Sequence, residues 1–221
     1  MNLLDELNVY FPKYEVVLPV SKLKVLFTPF KVKDAKNLSI ILQENNKKLA
    51  LIALYEIIKN NTNNIDINEL CIADAEYLFL HIRSKSVDEH ISVIFEKNKY
   101  ELNISDIVCV NSLNKKIVNI NNNILIELES PVFSDLLKLN SFEVNDFYKV
   151  CIKKIIVQKE IYDFNKFVPD EIKEIINNLP ISVLKEFDNF LSNQPRLTAT
   201  IKLLDGSEKE VNGLLDFFIF R

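Results

Sequence analysis

The chain has two glycines and no tryptophan in 221 residues. So few glycines leave few positions free to adopt φ > 0, which argues against a Gly-rich phosphate cradle. No G-x-S-x-G, Walker or Rossmann signature is present. Cysteine is sparse and odd in number: Cys71, Cys109 and Cys151, widely spaced and without a C-x-x-C pair. That excludes a disulfide framework and a zinc ribbon, and reads as three small apolar packing residues in a reducing compartment. The two histidines, His81 and His90, are too far apart to form a helical metal pair. A Cys71–His81 nucleophile pair would have to be assembled by the fold. The acid pairs Asp74 with Glu76 and Asp88 with Glu89 read as caps or solvated positions, since residues two apart on a helix do not face each other. No catalytic residue, metal site or cofactor is therefore expected.

Positive charge is also lacking: the net charge is −4 and the pI about 5.4. Nucleic-acid binders usually carry a basic excess or stripe. Here the basic pairs Lys47-Lys48, Lys115-Lys116 and Lys153-Lys154 read as solvated positions. No apolar run reaches the length of a membrane helix. The start, Met1-Asn2-Leu3-Leu4-Asp5-Glu6, is acidic where a signal peptide would be basic. A soluble protein working in the cytoplasm is expected, with no nucleic-acid or membrane partner.

What is present is an ordinary globular mix, 48% hydrophobic and 26% charged. Tyr14 to Val32 reads as an N-terminal hairpin, with a break at Pro19-Val20-Ser21-Lys22. Helical spacing takes over from Lys33, carried by Leu38, Ile41, Leu42, Leu49, Ile52 and Ile57. The Lys59–Asn64 run ends this part in a polar loop, with Asp66 and Asn68 as alternative caps for the next helical segment. Ile72 to Arg83 is the cleanest helix. A short segment runs on through Phe95, and extended pieces come after it at Tyr100–Val110 and Lys116–Glu129. The chain from Ser134 to Asn193 reads as helical, broken at Pro169 and Pro180. Leu197–Leu204 and Glu210–Leu214 form a hairpin about Asp205-Gly206. Leu215 to Phe220 is apolar and is expected to dock into a sheet. The class is α+β: mostly helical, with an N-terminal hairpin, two central strands and a C-terminal β-hairpin. It divides at residue 131 into a core (1–131) and a helical segment ending in the hairpin (132–221), or forms one domain overall.

One ordered set of residues resembles a known family. Leu18-Pro19 is followed by Lys24-Val25-Leu26-Phe27-Thr28-Pro29-Phe30-Lys31-Val32-Lys33-Asp34, then Cys71, Asp74, Glu76-Tyr77-Leu78-Phe79-Leu80 and Arg83-Ser84-Lys85-Ser86-Val87. This resembles the T4-like phage baseplate hub assembly proteins. In that family an extended segment leads to an aromatic-x-Pro-Phe group and a charged helix start, and later to an Arg-x-x-Ser-Val group. The agreement spans roughly residues 15–130 and is loose beyond. The chain departs from the pattern at Asp88, where the family carries Gly. Cys109 is its only cysteine near the middle strands, which leaves a metal-stabilised variant unsupported.

The resemblance implies a non-enzymatic, chaperone-like role in assembling the hub of a contractile-tail baseplate, in the host cytoplasm. The alternative is a permanent structural component of the baseplate or tail. Partners would be other hub and tail proteins, and homo-oligomerisation is left open. Phe27, Pro29 and Phe30 at the strand-to-helix corner, with Arg83 and Ser86, are the protein-interface candidates, because aromatics and Arg anchor interfaces. The competing reading is that the corner packs within the molecule.

Overall fold

The computed structural model describes residues 11–43, 46–96, 98–139 and 144–213. They divide into two compact units, one formed by the chain up to Val110 together with the chain from Arg196, the other by Asn111–Pro195. The second unit is thus an insertion into the first.

In the first unit the hairpin of β1 (Tyr14–Val17) and β2 (Lys24–Phe27) comes first. It leads to helices α1 (Val32–Gln43), α2 (Lys47–Asn61) and α3 (Ile72–Ser86). Asn46 starts α2, its Oδ1 accepting from Lys48 N and Leu49 N at 3.0 and 3.2 Å. The helix stops where Asn61 Nδ2 and Thr62 Oγ1 turn back to donate to Ile57 O and Ile58 O, both at 2.7 Å. Asp66 caps the short 3-10 turn Ile67–Glu69 rather than α3, accepting from Asn68 N. Helix α3 is buried on more than one face, through Ala73, Ala75, Leu78, Phe79, Leu80 and Ile82. Such a helix belongs to an interior, not to an amphipathic surface. The hairpin of β3 (His90–Phe95) and β4 (Asn98–Asn103) is next, then β5 (Val108–Val110). After the insertion, β10 (Arg196–Lys202) pairs with both β5 and β11 (Glu208–Asn212).

The inserted unit is a four-stranded antiparallel sheet in the order β6-β7-β8-β9. Its strands are β6 (Lys115–Asn121), β7 (Ile124–Glu129), β8 (Ile152–Val157) and β9 (Glu160–Asp163). Helices α4 (Phe133–Leu137), α5 (Val144–Cys151), α6 (Pro169–Asn177) and α7 (Ile181–Ser192) complete it. Val118 pairs with Ile126, which pairs with Ile155, so alternate side chains of three strands share one face. That face packs on Tyr148, Phe164, Ile176, Phe187 and Phe190.

The α+β class holds, but the mostly helical chain with two central strands does not. The structure is 43% helical and 32% strand, with four sheets among the described residues. The largest departure is the β8–β9 hairpin, in a stretch that reads as helix. Ile152-Lys153-Lys154-Ile155-Ile156-Val157 is rich in β-branched residues, which favour a sheet surface. Its two-residue turn is made by Gln158 and Lys159, both left-handed at φ 49° and 84°. Such turns favour Asn-Gly or Asp-Gly, so Gln-Lys gives no turn signal. The segment through Phe95 is likewise a strand, with Ile91 and Val93 buried. Asp205-Gly206 does mark a hairpin, but a longer-looped one: the ladder ends at Lys202–Glu208, and Leu203 N donates to Ser207 O. The expected docking of Leu215–Phe220 lies outside the described residues.

Candidate functional site

The interface candidates named from the sequence all lie in the first unit, and the fold joins Ser86 to the corner of Phe27, Pro29 and Phe30. At the corner after β2, Phe27 is 2% exposed and Phe30 9%, and Pro29 is buried beside them. The Phe27 ring lies 5.7 Å from that of Tyr14. Thr28 N donates to Asn61 O at 2.9 Å, tying the corner to the end of α2. Phe30 N donates to Ser86 Oγ at 2.9 Å, and that hydroxyl donates to Ile82 O at 2.5 Å. Ser86 therefore relays one hydrogen bond from the corner to the last turn of α3. Asp34 then secures the start of α1, its Oδ2 accepting from Lys31 N at 3.1 Å.

Arg83 sits on the same last turn. Its Nη1 donates to Asp88 O at 3.0 Å and to His90 O at 3.2 Å, so the guanidinium fastens the connection from α3 to β3. Burial draws it below its ordinary value while Asp88 raises it. It remains a cation in any case, as arginine does in proteins. Phe27, Pro29, Phe30 and Ser86 thus meet at one hydrogen-bonded and packed corner, while Arg83, on the same helical turn as Ser86, fastens the connection from α3 to β3.

Asp74 matters more than the sequence suggests. It reads there as a cap or a solvated acid, yet it is 0% exposed. Its Oδ1 accepts from Val20 N at 2.8 Å and its Oδ2 from Ser21 N at 2.9 Å, across more than fifty residues of chain. A buried carboxylate is tolerated because two backbone donors offset the lost hydration. The signal was an acid set between two alanines in the first turn of the helix. Beside it, the Cys71 thiol is pushed up to about 12, by burial first and by the Asp74 charge second. Burial raises Cys109 as well and lifts Cys151 to about 11. All three thiols are free and protonated near neutral pH.

His81 packs against Tyr77 with ring centroids 4.5 Å apart and planes tilted by 56°. Burial lowers it, and Lys85 lowers it further against a raising pull from Glu89. His90 lies elsewhere, exposed, with Nδ1 3.0 Å from Asp88 Oδ1. No group of three or more metal-ligating side chains occurs among the described residues. No helix among them is long and apolar enough to cross a membrane. In the inserted unit, Tyr148 Oη donates to Asp188 Oδ1 at 2.5 Å, and burial followed by this bond lifts the phenol to about 12.

The arrangement defines a class first: a two-unit α+β protein in which the buried polar side chains of Asn61, Thr62 and Asp74 fasten a helix end and a hairpin of the first unit. The family is defined by comparison. A family model described as T4 bacteriophage base plate protein matches residues 11–219, and the chain belongs to that family. Membership ties it to the phage base plate and to other base plate proteins as its interaction partners. No curated protein and no solved structure matches the chain.

Proposed function

We propose that this protein is a baseplate hub assembly factor, acting as a non-enzymatic chaperone while a contractile tail is built in the host cytoplasm. The observation that carries the reading is the family match over residues 11–219. The finer role draws on the ordered set from Leu18 to Val87, which resembles hub assembly proteins. The engagement of the polar groups supports a non-catalytic role. Asp74 is engaged by two backbone donors, Arg83 holds two carbonyls, and the thiols are held protonated. A group committed to the fold in this way is poorly placed to move a proton or attack a substrate.

Co-expression with neighbouring tail proteins, followed by co-purification, tests the partner. Mass spectrometry of purified virions tests the role. The chaperone reading expects the protein in complexes with hub subunits and depleted from finished particles. Stoichiometric presence in the particle overturns it in favour of a permanent structural component.

A further inference from the structure

The edge of β2 that faces away from β1 carries an unfinished strand pairing. Phe27 bridges Thr62 in antiparallel sense, and Thr28 N donates to Asn61 O at 2.9 Å. The bridge is isolated: beyond Thr62 the chain turns away at Asn63 and at Asn64, which is left-handed at φ 64°. In an antiparallel ladder the N–H and C=O of one residue point to the same side, and alternate residues share that side. The Thr28 bond therefore places the main-chain groups of Leu26 and Lys24 on the edge away from β1. Where the loop departs, a cleft of about 270 Å³ opens beside this edge, its lining including Lys13, Leu23, Lys24, Leu26, Asn63 and Ile65. Leu23 and Leu26 are 50% and 51% exposed.

An exposed strand edge with apolar side chains is a template for another strand unless something covers it. The charge says what kind. The described lining includes two lysines and no acid, on a protein whose net charge is −4. Glu15, which does not line the cleft, reaches Lys24 Nζ at 3.3 Å across the hairpin with both side chains exposed. We infer that the β2 edge is a strand-addition site for an extended, acid-bearing segment of another protein. Leu26 and Lys24 lie two apart and so project to one face. The incoming strand would set an apolar residue near Leu26 and a carboxylate near Lys24, also two apart on one face. This inference stands on the cleft and does not depend on the hub reading.

The test uses the full-length, ¹⁵N-labelled protein and two capped peptides. One carries the core Thr-Val-Thr-Glu-Thr, the other has Lys in place of Glu. The expected result is fast amide exchange at Lys24 and Leu26 in the free protein, slowed by the Glu peptide and about tenfold less affinity for the Lys peptide. Leu26→Pro removes an edge N–H without taking a bond from the β1 ladder, and should abolish protection. Lys24→Glu needs no backbone change and should reverse the preference between the peptides. Slow exchange of both amides in the free protein would overturn the inference. Sedimentation would then assign the covering strand to this chain itself or to a second copy. Equal protection by both peptides, or protection by neither, would also overturn it.

Discussion

Asp74 shows how much one side chain can fix. Its two oxygens hold the turn between β1 and β2 from inside α3, a helix far along the chain. Hydrogen bonds to a charged acceptor are worth about 1.5–3 kcal/mol each, and a stranded buried donor costs more than the bond itself. Asp74→Asn turns one acceptor into a donor facing a donor. It should therefore lower stability by roughly 2–4 kcal/mol in urea unfolding, with the amides of Val20 and Ser21 losing exchange protection. A loss under about 1 kcal/mol would show that water replaces the carboxylate at no great cost. His81 supplies a pH dependence. Its folded value lies below the ordinary 6.5, so the unfolded chain binds more protons as pH falls. Stability is then constant above 6.5 and declines as pH drops from there through the folded value. His81→Gln should flatten that decline in unfolding midpoints taken between about pH 7 and about 5.5. The comparison between two pH values cancels the lost contact with Tyr77. Asp88 and Glu89 are lowered too, but from 3.8 and 4.5, so their contributions fade in a more acidic range.

Elements here are joined by turns of uneven quality. The β8–β9 turn places Lys159 at φ 84°, a conformation that costs an L-residue about 1–2 kcal/mol. Lys159→Gly should raise stability by about 1 kcal/mol, part of the relief being offset by the freer unfolded chain. Thermal unfolding read by circular dichroism checks this, and a lower midpoint would mean that the Lys159 side chain contributes more than its backbone strains. The corner after β2 works differently. It contains no glycine and relies on the relay from Phe30 N through Ser86 Oγ to Ile82 O. Phe27 and Phe30, named from the sequence as interface candidates, are occupied in holding that corner. The neighbouring edge of β2, with Leu23 and Leu26 exposed, offers apolar surface instead.

At the scale of the molecule, the inserted unit begins and ends beside paired strands. Val110 of β5 and Arg196 of β10 are direct partners in register, and the whole of Asn111–Pro195 lies between them. The inserted unit has its own core of Val118, Ile126, Ile152, Phe187 and Phe190. Its ends are also tied to each other, Asn111 Nδ2 donating to Ser192 O at 3.3 Å. Residues 111–195 expressed alone should unfold in one cooperative step in urea, with slow exchange at Ile126 and Ile152. A non-cooperative transition would show that this unit needs the rest of the chain to fold.

By itself the sequence determined the class, the punctuation and the family. Pro169 opens α6, Asp34 sits in the first turn of α1, and Asp205-Gly206 marks the last hairpin, because these choices are made by dihedral limits and local hydrogen bonds. The ordered residues from Leu18 to Val87 carried the baseplate resemblance that the family match bears out. Only the tertiary structure decided the rest. Ile152–Val157 became a strand because β7 offered a ladder and Ile155 a place on the Val118–Ile126 face. Asp74 became a buried anchor because the β1–β2 turn brought two donors to it. Both outcomes were decided by partners remote in sequence, although a β-branched run and an acid between alanines marked the positions locally.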